Sequence, residues 1–149
     1  MILDERTEFL AATNVFAAAG SNLVGDVIDL TAIHRDIGMG QPLWWHILVT
    51  IAFVGATSTT DFQIRTDAAA AINATTGTLH VSTGPIAVAA LVIEKRFMIP
   101  LPVEGNVYER FMGLVVVGAV ATTTAGAITS GLTLDPVGWA AYPDALTNF

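Results

Sequence analysis

The sequence predicts an all-β protein, a jelly-roll-like antiparallel β-sandwich with extended N- and C-terminal segments, on three observations. Apolar residues recur with period two in short runs, most cleanly over Asp61–Thr66, where Phe62 and Ile64 alternate with Asp61, Gln63 and Arg65. Glycine, proline and asparagine turn signals separate these runs. The only segment with good helical character, Asp67–Asn73, is a single turn long. Seven or eight short strands with one helical turn describe a sandwich or small barrel rather than an alternating α/β fold.

Taken in order, Asp4, Glu5 and Glu8 beside Phe9 and Leu10 read as a short helical turn. The alanines at 11–12 and 17–19 surround Val15 and Phe16, better strand formers, so that segment reads as extended until Gly20, Ser21, Asn22 and Gly25 end it. Val27, Ile28 and Leu30 form a short strand, and Asp36–Pro42 a turn-rich bend. Pro42 can start the next strand but not sit inside it. Leu43–Val54 is the longest strand. Leu43, Trp45, Ile47, Val49, Ile51 and Phe53 make one apolar face; Trp44, His46, Leu48, Thr50, Ala52 and Val54 make a nearly apolar second one. Such a strand must be covered on both sides.

Gly55–Thr60 reads as a loop or frayed strand end, and Asp61–Thr66 as a half-buried antiparallel strand. Asp67 can cap, and Asn73 end, the helical turn between them. Thr78–Val81 is a short strand bounded by Gly77 and Gly84-Pro85. Leu91–Ile99 reads as a strand with Leu91, Ile93, Phe97 and Ile99 on one side, stopped by Pro100 and Pro102. Val107–Gly118 and Ala127–Leu134 complete the set, the latter with Ile128, Leu132 and Leu134 inward. Asp135–Phe149 has no period.

The chain of 149 residues reads as one domain, 1–149, able to bury a substantial core. Charged residues make up 13% of it, about half the usual share. A monomer of this mass exposes roughly 7,000 Å², so its six basic and thirteen acidic side chains lie at about one per 400 Å². So thin a cover of charge implies that part of the surface faces other protein. A net charge of −7 without a Lys/Arg stripe excludes direct nucleic-acid binding. The acidic N-terminus is the opposite of a signal-peptide n-region. Ile37–Thr60 and Phe111–Leu134 lack charge, but neither has a solid apolar core of eighteen residues, so no membrane span is expected.

No catalytic, cofactor-binding or metal-binding residue is assigned. With no cysteine there is no thiolate ligand or thiol nucleophile. His34, His46 and His80 lack metal-ligand spacing and read as structural or interfacial. His34-Arg35-Asp36 is no acid–base cluster, because consecutive residues of an extended chain point apart. Gly38-Met39-Gly40 lacks the Lys-Ser/Thr and helix of a phosphate loop. Asp26, Asp29 and Asp36 lack EF-hand spacing, and no G-x-S-x-G elbow occurs. Trp44 and Trp45 point to opposite faces, one into the core and the other under a loop or in a subunit interface.

The ordered set of motifs resembles the small capsid cement (decoration) proteins of tailed bacteriophages typified by the Bordetella podophage cement protein. It comprises the opening MILD, the bend DLTAIHRDIGMGQPLWWHILV, the strand DFQIRTD and the late FMIPLPVEGNVYERF…TAGAITSGLTLD, with a Tyr-Pro near the C-terminus. The element R-D-I-G-x-G-x-P-L falls here on Arg35–Leu43 and F-x-x-P-L-P on Phe97–Pro102; Gln41 stands where relatives often carry an acid. The resemblance implies a jelly roll without enzymatic function or cofactor. It implies a virion protein on the outer surface of the icosahedral capsid, whose partners are the major capsid protein and itself, as homodimer or homotrimer. A carbohydrate- or host-receptor-binding jelly roll is the alternative, recognisable by an open cleft lined by Trp44 or Trp139. A cupin-like enzyme would need His46 and His80 in one metal set.

Overall fold

The structure, a computed structural model of the chain, describes residues 7–15, 19–31, 42–55, 58–103, 105–119 and 123–134. The described residues are nearly all β. The strands are β1 (Glu8–Asn14), β2 (Gly20–Asp29), β3 (Trp44–Val54), β4 (Thr59–Asp67), β5 (Thr78–Ser82), β6 (Ile86–Ala87), β7 (Arg96–Pro100), β8 (Phe111–Ala119) and β9 (Ala125–Thr133). One sheet has the order β1-β9-β3-β7, the other β2-β8-β4-β5, with the short β6 also on β4. Every pairing is antiparallel.

This order is what a long hairpin gives when it is rolled up. Leaving β6 aside, the first strand pairs with the last (β1·β9), the second with the second-last (β2·β8), then β3·β7 and β4·β5. Rolling adds β9·β3 and β8·β4, closing two four-stranded sheets face to face. That is the jelly roll.

The core lies between the sheets. Trp45, Ile47, Val49 and Phe53 of β3 face Phe62 and Ile64 of β4 and Met112, Leu114 and Val116 of β8, all buried. Phe53 and Phe62 meet edge to face across the sandwich, with ring centroids 6.0 Å apart. Trp45 carries a polar atom into this core and satisfies it: its Nε1 donates to Ser130 Oγ at 2.9 Å, and Ser130 Oγ donates to the His46 carbonyl at 3.0 Å. Phe62 and Ile64 alternate with the polar residues of β4 as the sequence predicts.

Several elements differ from the sequence reading. Glu8 begins a strand, not a helical turn, because Phe9 and Leu10 are drawn into the core beside β9. Gly20, Ser21 and Asn22 lie inside β2, whose ten residues pair with β8 on either side of a register shift between Val24 and Ile28. Asp67–Asn73 forms no helix. Asp67 Oδ1 accepts from Ala69 N, and Asn73 Oδ1 accepts from Thr75 N and Thr76 N, so local side-chain turns shape the segment at both ends. Ile72 is meanwhile buried against the outer side of β8, where a Cβ on Gly113 would come within 2.9 Å of its Cδ1 and 2.8 Å of Leu23 Cδ1.

Within β3, Ile51 departs from its expected face: it is half exposed where the pairing with β9 shifts register. Strand β7 starts only at Arg96, Val107 lies outside β8, and Leu134 is exposed just past β9. A 3₁₀ turn occurs instead at Val88–Ala90. The bend with His34, Arg35, Asp36 and Gly38–Gln41 lies outside the described residues, as does the tail from residue 135.

Candidate functional surface

Polar side chains on the outside of β4 form a ladder rather than a reactive centre. Gln63 Nε2 donates to Asp61 Oδ2 at 2.6 Å, and Arg65 Nε donates to Gln63 Oε1 at 2.7 Å. Asp61 also accepts from Ser82 Oγ and Thr83 Oγ1, while Arg65 Nη1 donates to the carbonyls of Ala74 and Gly77. Burial works against the charge of Arg65 and lowers its pKa, with Asp61 acting the other way. The ladder ties β4 to β5 and to the 68–77 loop.

The histidines are apart in role and place. His46 is fully buried on the face of β3 opposite Trp45, where Gly131 leaves it room: a Cβ on Gly131 would lie 3.0 Å from its Cε1 and 2.9 Å from the Thr7 carbonyl oxygen. Desolvation holds its pKa at about 4, so the imidazole is neutral at physiological pH. His80 stacks on Tyr108, with centroids 3.9 Å apart and planes within 7°, and its Nε2 lies 2.7 Å from Thr66 Oγ1. Burial lowers its pKa and Glu109 opposes that. Among the described residues no three His, Asp or Glu side chains are grouped to hold a metal ion. Trp44 is half-buried, and Trp139 lies outside the described residues.

The His80–Tyr108 stack belongs to a lock on the described residues of the 101–110 loop, 101–103 and 105–110. Tyr108 Oη donates to Pro102 O at 2.7 Å, Glu109 N donates to Thr66 Oγ1, and Thr78 Oγ1 donates to Glu109 Oε1. Burial raises the Tyr108 pKa to about 12, keeping the phenol a donor. Nearby, Arg110 reaches Asp29 through Nη2 at 2.8 Å and holds that carboxyl well below the usual range. A loop fixed at this many points still presents apolar side chains: Val103 is 64% and Val107 84% exposed. Leu79, whose carbonyl accepts a long bond from Asn106 Nδ2, is exposed at the same end of the sandwich.

A second apolar group, Ile51, Val54, Val92 and Ile93, is exposed towards the opposite end. Period-two reading missed both groups because it placed Ile93 and Val107 inside strands. The available signal was valine or isoleucine next to turn residues, as in Pro102-Val103-Glu104-Gly105-Asn106-Val107.

The described residues thus form an all-β scaffold with exposed apolar side chains towards both ends and no reactive cluster among them. The comparison with known families specifies the kind: residues 9–132 match the Bbp16 family model. The chain belongs to the Bbp16 family, which is named for a Bordetella phage protein, and is a phage-associated structural protein of that type. The match runs from β1 almost to the end of β9 and so takes in the whole sandwich. No curated protein matches the chain.

Proposed function

We propose that the protein is a capsid cement protein. In this reading it sits on the outer surface of the icosahedral shell as a homo-oligomer and clamps adjacent major capsid proteins. It works by contact alone, without an enzymatic step or a cofactor. The observation that carries the reading is the locked 101–110 loop. Val103 and Val107 are held out in solvent by a lock of aromatic stacking and hydrogen bonds, so little ordering entropy is left to lose on docking. Family membership supplies the phage context. A shell under internal pressure is loaded at the seams between its subunits, and bridging a seam requires area rather than reactivity. Apolar anchors ringed by polar contacts supply the affinity, and several copies per oligomer multiply it.

The terminal segments are a second source of contact in this proposal. The segments without a strand period in the sequence are Met1–Phe9 and Trp139–Phe149. Glu8 and Phe9 belong to β1 and Phe9 is buried, so at the N-terminal end only the residues before them are offered to a neighbour. Residues 1–6 and 139–149 lie outside the described residues. The experiment is co-sedimentation with emptied capsids of the same phage, comparing wild type, Val103→Asp/Val107→Asp and chains lacking 1–6 or 139–149. Wild type is expected to pellet with the shell, and the double variant to bind about tenfold more weakly or worse with an unchanged circular dichroism spectrum. Wild type that stays in the supernatant overturns the cement reading. Wild-type occupancy by the double variant moves the contact away from this loop.

A further inference from the structure

Between the 3₁₀ turn and β7 the chain does something unusual beside β3. Phe53 N donates to Leu91 O at 3.0 Å, Glu94 N donates to Val49 O at 2.8 Å, and Val49 N donates to Lys95 O at 2.9 Å. Lys95 N closes a four-residue turn onto Val92 O at 3.1 Å. Glu94, third in that turn, has φ of 65°, in the region a turn or bulge normally fills with glycine. The bonds at Val49 and Phe53 bracket Ile51, which lies opposite Val92 and Ile93. Four apolar side chains are thus exposed together at 50–61%: Ile51, Val54, Val92 and Ile93. Holding a glutamate in a glycine conformation, at the rim of an exposed apolar patch, is strain of the kind kept where a surface is used.

We propose that this patch is the contact with a second copy of the chain, related by a two-fold axis. The inference rests on the homo-oligomer of the proposed function and specifies its interface. Charge decides the occupant. The chain carries a net −7, so most of its surface repels a copy of itself. At this edge Lys95 and Arg96 bring together two of the six basic residues, directly after Glu94. Neither Glu94 nor Lys95 makes an ion pair with another described residue. A two-fold interface sets the same patch against itself, so a patch with both signs at its rim is self-complementary, Glu94 of each copy facing Lys95 of the other. On the edge strand β7, Leu101 N donates to Leu43 O, so by alternation the outward positions are Arg96, Met98 and Pro100, and Pro100 has no amide to offer a further strand. A two-fold contact uses this patch of both copies and so closes at two.

Light scattering after size exclusion tests this. Wild type is expected at twice 15.6 kDa, and Ile93→Asp at 15.6 kDa with an unchanged circular dichroism spectrum. Glu94→Lys should raise the dimer dissociation constant about tenfold at low salt, and Glu94→Lys/Lys95→Glu should restore it. If Ile93→Asp misfolds, the charge pair of variants decides alone. A dimer or trimer unmoved by Ile93→Asp and by Glu94→Lys overturns this interface and leaves the oligomer standing. A monomer at every concentration overturns both. Loss of capsid binding by Ile93→Asp with the dimer intact assigns the patch to the shell and overturns the proposal. The cement reading itself is decided separately, by wild-type co-sedimentation.

Discussion

Glu94 holds a backbone conformation that costs the fold free energy, with φ of 65°. An L-residue in the left-handed region costs roughly 1–2 kcal/mol, and glycine there avoids most of that while adding disorder to the unfolded chain. Glu94→Gly is therefore expected to stabilise the fold by about 1 kcal/mol, read as a higher urea midpoint at unchanged slope. The measurement belongs in the Ile93→Asp background, so that the proposed dimerisation does not add to the stability read. In the wild-type background the same change tests the proposed two-fold contact, in which Glu94 is set against Lys95 of the second copy: there it should raise the dissociation constant. A fold made less stable by Glu94→Gly would mean that its side chain contributes more than its backbone costs.

At the scale of elements, β2 passes close against β1 of the other sheet, and Gly25, at the register shift of β2 against β8, makes the approach possible. Its φ is 73°, and a Cβ there would sit 2.1 Å from the Phe9 carbonyl oxygen and 2.6 Å from the Leu10 side chain. The obstruction is backbone, which cannot swing aside as a side-chain tip does. Gly25→Ala meets both the conformational and the steric penalty, and the expected loss is about 3 kcal/mol, measured by chemical denaturation. Gly20→Ala is the comparison. It too has a positive φ, of 110°, but nothing lies within 4 Å of its Cβ, so it reports the backbone cost without the clash.

For the whole molecule, acid is the expected weakness. The unfolded His46 titrates near 6.5 and the folded one at about 4, so between those values the unfolded chain binds the extra proton. Stability from this residue is complete above about pH 6.5 and falls as pH drops through the window, by about 3 kcal/mol in total at pH 4. His80 is lowered too and acts in the same sense. Asp29, also lowered, holds its contribution above 3.8 and loses it only further into acid. Urea midpoints across this range should slope downwards in wild type and flatten in His46→Gln, whatever that variant does to stability at neutral pH. Equal slopes in the two proteins would remove His46 as the source.

What the sequence determined by itself was the material of the fold. The alternation of Phe62 and Ile64 with Asp61, Gln63 and Arg65, and the apolar face of Trp45, Ile47 and Val49, are local consequences of a period-two backbone. They set the class and the inner faces before any contact is known. Ordered motifs pointed to the phage family whose model covers 9–132. Tertiary structure decided the rest, wherever distant segments compete for the same backbone groups or the same space. Val49 draws Glu94 and Lys95 into a turn that interrupts an otherwise apolar strand pattern and leaves Ile93 in solvent. Burial of Ile72 over Gly113, a tertiary contact, prevails over the helix propensity of the alanines. The lock that exposes Val103 and Val107 joins residues from β4, β5 and the 101–110 loop, and no spacing along the chain reveals it.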